Sequence, residues 1–447
     1  MNNKTIAAPV LPRTGVGIRF LHMPIPYSFM PGRQLIPLHL IVVLLLSMFL
    51  QGEQACSQPA GMQTLQTRFY ELTTDLDEDS ARKLGVHMDV VFEAYRKMFE
   101  RFQGHPTKRL DAYIFREQST YLEFLMKKFG MDGTGSGGMF IQRGNDGALV
   151  VFEGGQGLAR VREVLQHEGF HQFAAILFPG IPLWANEGFA ELFEKGVVID
   201  GEIDEFHVGA IPRGTLLQLQ RARGENTLLP FDSFFLIDSK AWSDGLKDGA
   251  ASLNYMQAWS LVHFFLYAEN AKWQDDFLQF LALLNKGMDW QQAFSTVFKT
   301  TDYSEIQDEY IRWLDHARAT NHRAIIHELE YLATGMHALH GAGIHPNTLQ
   351  LLRSQLKSNR YEFESHLFGE TTILSEAYPG LFELPLEGAG AKPRLVLADD
   401  RGRPYLENAP LGSRPWNIRT LGLEPFDFMV RWKNPGRRNP TFMLEKF

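Results

Sequence analysis

Apolar residues recur every three or four positions through most of the chain, which is the spacing of amphipathic helices. It predicts helices over residues 61–104, 158–178 and 252–270, and further helices as far as about residue 320. Shorter apolar runs predict strands at "RLDAYIF" (109–115) and on both sides of "RGNDG", whose Asn-Asp-Gly favours a hairpin turn. This combination of a few strands with many helices predicts an α+β fold.

The C-terminal part of the chain changes from helical to strand-like patterning. Residues 321–386 continue the helical spacing, and "EGAGAKP" then forms a linker. Three short apolar runs follow it, "RLVLADD", "FDFMVRW" and "TFMLEKF", and each predicts a strand. We therefore expect a main domain over residues 62–320, a helical extension over 321–386 and a small β-rich accessory module over 387–447.

An apolar run near the N-terminus, "LIPLHLIVVLLLSMFL" (35–50), follows the basic residue Arg33. Its length suits the core of a signal peptide and is short for a bilayer span. We expect residues 1–56 to be a signal peptide or a membrane anchor, and the protein to be exported (periplasmic, secreted or envelope-associated). Cys56 lies just after the run, so lipid attachment there is a second route to the membrane.

Composition narrows the classes of partner. The chain has 447 residues and a formal net charge of −8, whereas nucleic-acid binding needs a clustered basic surface. We therefore expect no nucleic-acid partner. With one cysteine in the whole sequence, an exported protein of this kind must rely on its hydrophobic core instead of on internal disulfides.

The string "QHEGFHQF" places two histidines one helical turn apart. His167 and His171 share a helix face, so both rings can reach one ion, and Glu168 lies beside them. From that position Glu168 could take a proton from a water activated by the metal. The alternative is a buried helix whose histidines only form hydrogen bonds.

The next predicted helix carries "WANEGFAELFE" after a Pro-Gly break that lets the chain reverse. Glu187 can then face the two histidines as a third ligand, as a catalytic zinc site requires. Glu191 lies one turn further on and could accept the outer N–H of a ligand histidine, which would fix its ring. Alone, both carboxylates would be interpreted as solvated helix charges; beside His-Glu-x-x-His, a role in the site is the better interpretation for each.

"HEGFHQF" followed by "LWANEGFAELFE" resembles the gluzincin metallopeptidases, and "NEGFA" is similar to the zinc aminopeptidases among them. Over about residues 65–320 the likeness is closest to exported bacterial proteins with a peptidase-MA-like domain. The resemblance implies Zn²⁺ held by His167, His171 and Glu187, with Glu168 as general base. It also implies a small mixed sheet, whose edge strand lies over the zinc-binding helices, and a mostly helical second lobe.

Two further positions bear on this resemblance. In the aminopeptidases a downstream tyrosine stabilises the oxyanion, and Tyr255 has a similar separation here; it also shares a helix face with Trp259, so a core role stays open. The aminopeptidase edge strand carries a glutamate for the substrate's free amine, where this chain has Phe140 and Ile141. This departure from the aminopeptidase pattern removes the anchor for a free amine, so within the resemblance we expect an endopeptidase acting on peptide or protein substrates.

Two alternatives stay open at this point. The chain could be a catalytically inactive zinc-binding envelope or scaffold protein that binds peptide or polysaccharide. Alternatively, the β-rich C-terminal module could do the binding while the metal domain is auxiliary.

Overall fold

The structure is a computed structural model. It describes residues 40–45, 61–143, 146–199, 205–242, 250–300, 302–369, 371–377, 394–399, 401–404, 416–423, 425–433 and 441–446. The predictions for Cys56 and for the linker at residues 387–393 lie outside these ranges. None of the helices in the described ranges combines the length and hydropathy that a membrane crossing requires.

The first half of the chain forms a mixed sheet flanked by helices, and the α+β prediction is confirmed. The sheet has six strands in the order β1-β5-β6-β4-β3-β2. Strands β5 and β6 form the predicted antiparallel hairpin, whereas β6, β4 and β3 run parallel to one another. The strands are β1 (Leu40–Leu45), β2 (Gln63–Gln66), β3 (Tyr70–Thr74), β4 (Leu110–Phe115), β5 (Ser136–Arg143) and β6 (Asp146–Phe152).

The predicted helix over residues 61–104 is wrong in its first part, where the chain forms β2 and β3. Strand β3 lies between β2 and β4, and its backbone hydrogen bonds are satisfied by both neighbours. Helix α1 (Glu78–Met98) begins only after Asp77, whose side chain accepts a hydrogen bond from the backbone N–H of Ser80. This cap marks the true start of the helix.

Strand β1 belongs to the apolar run that the sequence analysis assigns to an export segment. It pairs in parallel with β5, with Val43 opposite Phe140, and it also lies beside helix α3 (Leu158–Leu177). The outer edge of β5 is therefore covered in this structure by another segment of the same chain.

Helix α4 (Leu183–Glu194) packs against α3 on one side and against α7 (Ala250–Ala271) on the other. The contact between α3 and α4 is aromatic, with the Phe170 ring stacked on Phe189 at 5.4 Å and on Phe193 at 5.3 Å. The α4–α7 contact is close because Gly188 has no side chain: a Cβ there would lie 2.4 Å from the carbonyl oxygen of Ala258.

The remaining elements extend this core and build a second one. A hydrophobic cluster runs from Tyr70 to Leu314, and another runs from Ile326 to Leu444. The helical extension and the β-rich segment share the second cluster. The remaining helices are α2 (Gln118–Phe124), α5 (Arg213–Gly224), α6 (Phe231–Phe234), α8 (Gln274–Asn285), α9 (Trp290–Phe298), α10 (Ser304–His316), α11 (His322–Gly341), α12 (Leu349–Ser358) and α13 (Leu374–Ala377).

The C-terminal strands form an antiparallel sheet in the order β11-β12-β13-β14. Three of them were predicted from their apolar runs, and β12 is an addition. The strands are β11 (Arg394–Ala398), β12 (Asn417–Leu421), β13 (Phe428–Lys433) and β14 (Thr441–Lys446). Two short pairs complete the described strands, β7 (Val197–Ile199) with β8 (Glu205–His207) and β9 (Glu364–Ser365) with β10 (Thr372–Ile373).

Candidate metal centre

Three side chains from α3 and α4 converge at the contact between these helices. His167 and His171 lie one turn apart on α3, with ring centroids 4.8 Å from each other. Glu187 reaches them from α4: its Oε2 atom lies 3.5 Å from Nε2 of His167 and 3.6 Å from Nε2 of His171. The three residues are 0%, 2% and 1% exposed, and their ligand atoms all lie within 4.8 Å of one another. This group could hold a metal ion.

The spacing of these atoms fits a small cation better than it fits a hydrogen-bond network. Two ligand atoms on a tetrahedral zinc, each about 2.0–2.1 Å from it, lie roughly 3.4 Å apart. Within the described part of the chain, neither histidine Nε2 nor either carboxylate oxygen of Glu187 has a hydrogen-bond partner. Buried polar atoms without partners are costly, so a cation between them would remove the penalty.

Glu168 lies next to this group and is tied to the sheet. Its Oε2 atom accepts a hydrogen bond of 2.7 Å from the backbone N–H of Phe140 in β5. Its Oε1 atom has no hydrogen-bond partner among the described residues. Complete burial raises the pKa of Glu168 well above its ordinary value, because a carboxylate is poorly solvated there. One oxygen is thus fixed and the other is available.

The outer nitrogen of His167 faces Glu194, not the Glu191 that the sequence analysis favoured. Nδ1 of His167 lies 3.0 Å from Oε2 of Glu194, whereas its distance to Oε1 of Glu191 is 4.0 Å. Glu191 pairs instead with Lys195, and Arg160 holds the other oxygen of Glu194 at 3.0 Å. Glu194 follows Glu187 by two helical turns and lies on the same face of α4, so helical spacing in the sequence also makes Glu194 a candidate partner of His167.

These contacts set the protonation preferences of the two histidines in opposite directions. Burial disfavours the charged form of His167, but the carboxylates of Glu187 and Glu194 outweigh burial and raise its pKa to about 10. Burial, together with the charge of His167, lowers the pKa of His171 well below its ordinary value, and the nearby Asn186 side chain only partly opposes this. His171 therefore presents a neutral ring, which is the form that binds metals.

The local charges also favour a cation. Four carboxylates surround the site, and two of them pair with cations: Glu194 with Arg160, and Glu191 with Lys195. A bound metal would require both histidines to be neutral, and with the four carboxylates ionised the balance would then be two negative charges, leaving out the half-exposed Glu163 on Arg160. A divalent cation would neutralise this buried excess. The four carboxylates belong to Glu168, Glu187, Glu191 and Glu194.

Tyr255 lies on α7, which packs against α4. Its side chain is buried, and its ring makes an edge contact with Trp242 at 5.1 Å between centroids. Burial raises the pKa of Tyr255 well above its ordinary value, and the negative charges of Glu187, Glu191 and Glu168 raise it further. The phenol therefore lies within the electrostatic reach of the candidate site and stays protonated.

Other closely spaced histidines of the sequence lie elsewhere in the structure. His327, from the string "HELEY", contacts Phe368 at 4.8 Å in the second hydrophobic cluster. The His340 and His345 rings lie 4.5 Å apart. In the described ranges, the sets of three or more residues able to share an ion are the group above and His167 with Glu191 and Glu194. In the second set, Arg160 and Lys195 already balance both carboxylates.

Comparison of the sequence with known protein families and with curated proteins found no match.

Proposed function

We propose that this protein is an exported zinc-dependent endopeptidase of gluzincin type. The observation that carries the proposal is the convergence of His167, His171 and Glu187 on one point, with Glu168 beside it. Two imidazoles and one carboxylate are the donor set that zinc prefers where a position must stay open for substrate, and binding of the metal would displace the proton that His167 holds in its absence. The substrate class is peptide or protein, and the proposal includes no nucleic-acid partner.

Each residue has a distinct role in this proposal. Zinc, when bound, supplies Lewis-acid polarisation of the substrate carbonyl and activation of water. Glu168 takes the proton from the attacking water through its available oxygen and passes it to the leaving amine. Tyr255, protonated over the working pH range, donates a hydrogen bond to the carbonyl oxygen as negative charge develops there. Glu194 keeps the His167 ring in its ligating orientation.

Strand β5 favours an endopeptidase over an aminopeptidase. Phe140 and Ile141 are buried apolar residues, and no carboxylate occurs from Ser136 to Arg143 to hold a free amine. The hydrogen bond from Phe140 to Glu168 joins this strand to the proposed base. An extended peptide paired with the β5 edge would therefore lie beside Glu168 with both of its ends free.

The test is digestion of a mixed peptide library with and without a chelator, read by mass spectrometry. We expect chelator-sensitive cleavage at internal bonds. Glu168→Gln should bind zinc as the unmodified chain does and cleave nothing, because the amide cannot accept the proton. His171→Ala should lose both zinc and cleavage. Full turnover by Glu168→Gln would refute the assigned base.

One observation favours a second candidate, a non-hydrolytic zinc protein of the cell envelope. The three candidate ligands are almost fully buried, and β1 covers the β5 edge, as would suit a structural site closed to substrate. In that case zinc would stabilise the fold and no peptide in the library would be cleaved. Zinc binding without chelator-sensitive cleavage, in the chain with and without residues 1–60, would favour this candidate.

A further inference from the structure

A second site is formed at the amino ends of two neighbouring parallel strands. The chain segments that enter β3 and β4 lie side by side, and the backbone N–H of Leu110 donates to the carbonyl oxygen of Phe69 at 2.8 Å. Together with α1 they enclose a surface cavity of about 460 Å³. Its lining residues are Arg68, Phe69, Phe92, Arg96, His105, Pro106, Thr107, Lys108 and Arg109.

The charge of this cavity is opposite to that of the whole chain. Four of its nine lining residues carry a permanent positive charge, and none carries a carboxylate. The full sequence has a net charge of −8. Two carboxylates lie beside the lining: Glu93 pairs with Arg96 at 2.9 Å and with Arg68 at 3.5 Å, and Asp89 accepts hydrogen bonds from the backbone N–H groups of Arg68 and Phe69. Four cations against these two carboxylates leave a net positive cavity. A cavity of one sign attracts ligands of the other.

Three of the four cationic groups contact an aromatic ring or the backbone beside them. The guanidinium carbons of Arg68 and Arg96 lie 4.6 Å and 5.8 Å from the centre of the Phe69 ring. Arg109 donates a hydrogen bond from Nε to the carbonyl oxygen of Thr67 at 2.7 Å. This bond does not use the two terminal amino groups of Arg109. These contacts partly orient the three guanidinium groups, which lowers the entropy that they lose when they bind an anion.

The cavity is separate from the metal centre. Its floor is the buried Phe92, whose ring meets Phe173 of α3 at 5.6 Å. Phe173 follows His171 by two residues, and positions two apart on a helix point to opposite sides. The cavity and the proposed zinc ligands therefore contact different faces of α3, and either site can exist without the other.

We propose that this cavity binds a phosphate monoester or diester group. Four cations around one cavity, of which Arg68 and Arg96 pair with Glu93, exceed what a single carboxylate needs, whereas several guanidinium groups suit the oxygens of a phosphate. The cavity suits a compact anion better than an extended acidic peptide, because such a peptide needs a groove or a sheet edge. The same chemistry occurs in free phosphorylated small molecules and in phospholipid headgroups.

The experiment measures binding of two probes to the full chain at low and at moderate salt. The soluble probe is glycerol 3-phosphate, followed by calorimetry, and the surface probe is vesicles of phosphatidylglycerol mixed with phosphatidylcholine. The test variant is Arg68→Gln with Arg109→Gln. The control is Arg82→Gln, an exposed arginine of α1 that pairs with Asp79 outside the cavity.

We expect the double variant to bind its probe about 10- to 100-fold more weakly, because charge-assisted hydrogen bonds are lost, while Arg82→Gln binds as the unmodified chain does. Binding of glycerol 3-phosphate assigns a free phosphorylated molecule, and binding to the anionic vesicles alone assigns a headgroup. The single variant Lys108→Gln should shift affinity in the same direction, and it serves if the double variant does not fold.

The proposal is overturned if neither probe binds, or if Arg82→Gln weakens binding as much as the double variant. It is also overturned if a poly-glutamate peptide binds the cavity while both phosphate probes fail, because the site would then recognise acidic peptides. Since zinc ligands play no part in these measurements, the result is independent of the proposed peptidase activity.

Discussion

The carboxylate of Glu194 links the His167 ring to the rest of the protein. It accepts from Nδ1 on one side and is held by Arg160 on the other, so the ring has a fixed orientation before any ion arrives. A ligand that is already oriented loses less entropy when it binds metal, and a hydrogen bond to a carboxylate makes the ring more basic. This single contact should therefore be measurable in metal affinity.

We predict that Glu194→Gln weakens zinc binding by about 10- to 100-fold, because the charged partner of Nδ1 is lost. Competition with a chromophoric chelator measures the dissociation constant. The matched control is Glu163→Gln, which removes a half-exposed carboxylate from the same Arg160. Equal dissociation constants for the two variants would contradict the orienting role of Glu194.

At this scale the sequence predicts the ligands well and their surroundings less well. The spacing of His167 and His171 leaves little choice once a helix forms, and the three proposed ligands do converge. Between Glu191 and Glu194 the spacing does not decide, because both lie near the face of Glu187. Lys195 pairs with Glu191 and Arg160 pairs with Glu194, and these ion pairs determine which glutamate contacts His167. Their positions depend on how α3 and α4 cross.

Among the elements, the pair α4 and α7 fixes the position of Glu187. Gly188 follows Glu187 directly and lies against the backbone of α7. This close approach explains why "NEGFA" has a glycine at this position. Any side chain at this position must push the two helices apart.

We predict that Gly188→Ala lowers the free energy of unfolding by about 1–3 kcal/mol, because the added methyl would lie 2.4 Å from the Ala258 oxygen. Zinc affinity should fall with it, since Glu187 moves with α4. Gly214→Ala in α5 is the control: nothing lies within 4 Å of that position, so the alanine should add about 0.5–1 kcal/mol. Urea unfolding of both variants measures the difference, and equal values would contradict this packing argument.

Strand β1 gives a second prediction at the level of elements. Because it pairs with β5, it occupies hydrogen-bonding groups that an extended substrate would need. A chain that lacks residues 1–60 should therefore cleave library peptides with a higher kcat/KM than the full chain. Unchanged kcat/KM would show that substrate does not use this edge.

The elements were predictable where the local pattern was strong. The hairpin β5–β6 and the helices α3 and α4 agree with the predictions, because turn residues and Pro-Gly breaks mark their ends. Strands β2 and β3 were missed since their short apolar runs also fit a helical spacing. Only pairing with β4, which follows later in the chain, makes the strand conformation the better one.

At the scale of the whole molecule, the described residues form two separate hydrophobic clusters, so each region can have its own free energy of unfolding. Glu330 lies in α11, within the second cluster, and its Oε2 atom accepts a hydrogen bond of 2.6 Å from Ser365. Burial raises the pKa of Glu330 from 4.5 to about 7, because the ionised form is poorly solvated. The folded state therefore keeps this proton over a range where the unfolded chain has lost it.

We predict that this region loses stability as the pH rises from 4.5 to about 7. Below 4.5 both states are protonated and the penalty is absent, and above 7 both are ionised and the penalty, about 3 kcal/mol, is complete. Glu330→Gln should remove that pH dependence and raise stability at pH 8. Exposed Glu305→Gln is the control, and hydrogen exchange in α11 is the measurement. An identical pH slope in both variants would exclude Glu330 as its source.

The three candidate ligands and Glu194 lie between residues 167 and 194, whereas α7, which packs over α4, begins only at Ala250. During synthesis on the ribosome, every donor atom is thus made before the helix that encloses it. An ion that meets the nascent chain finds an open cleft. In the finished protein the candidate ligands are buried, so we expect an ion held by them to exchange slowly.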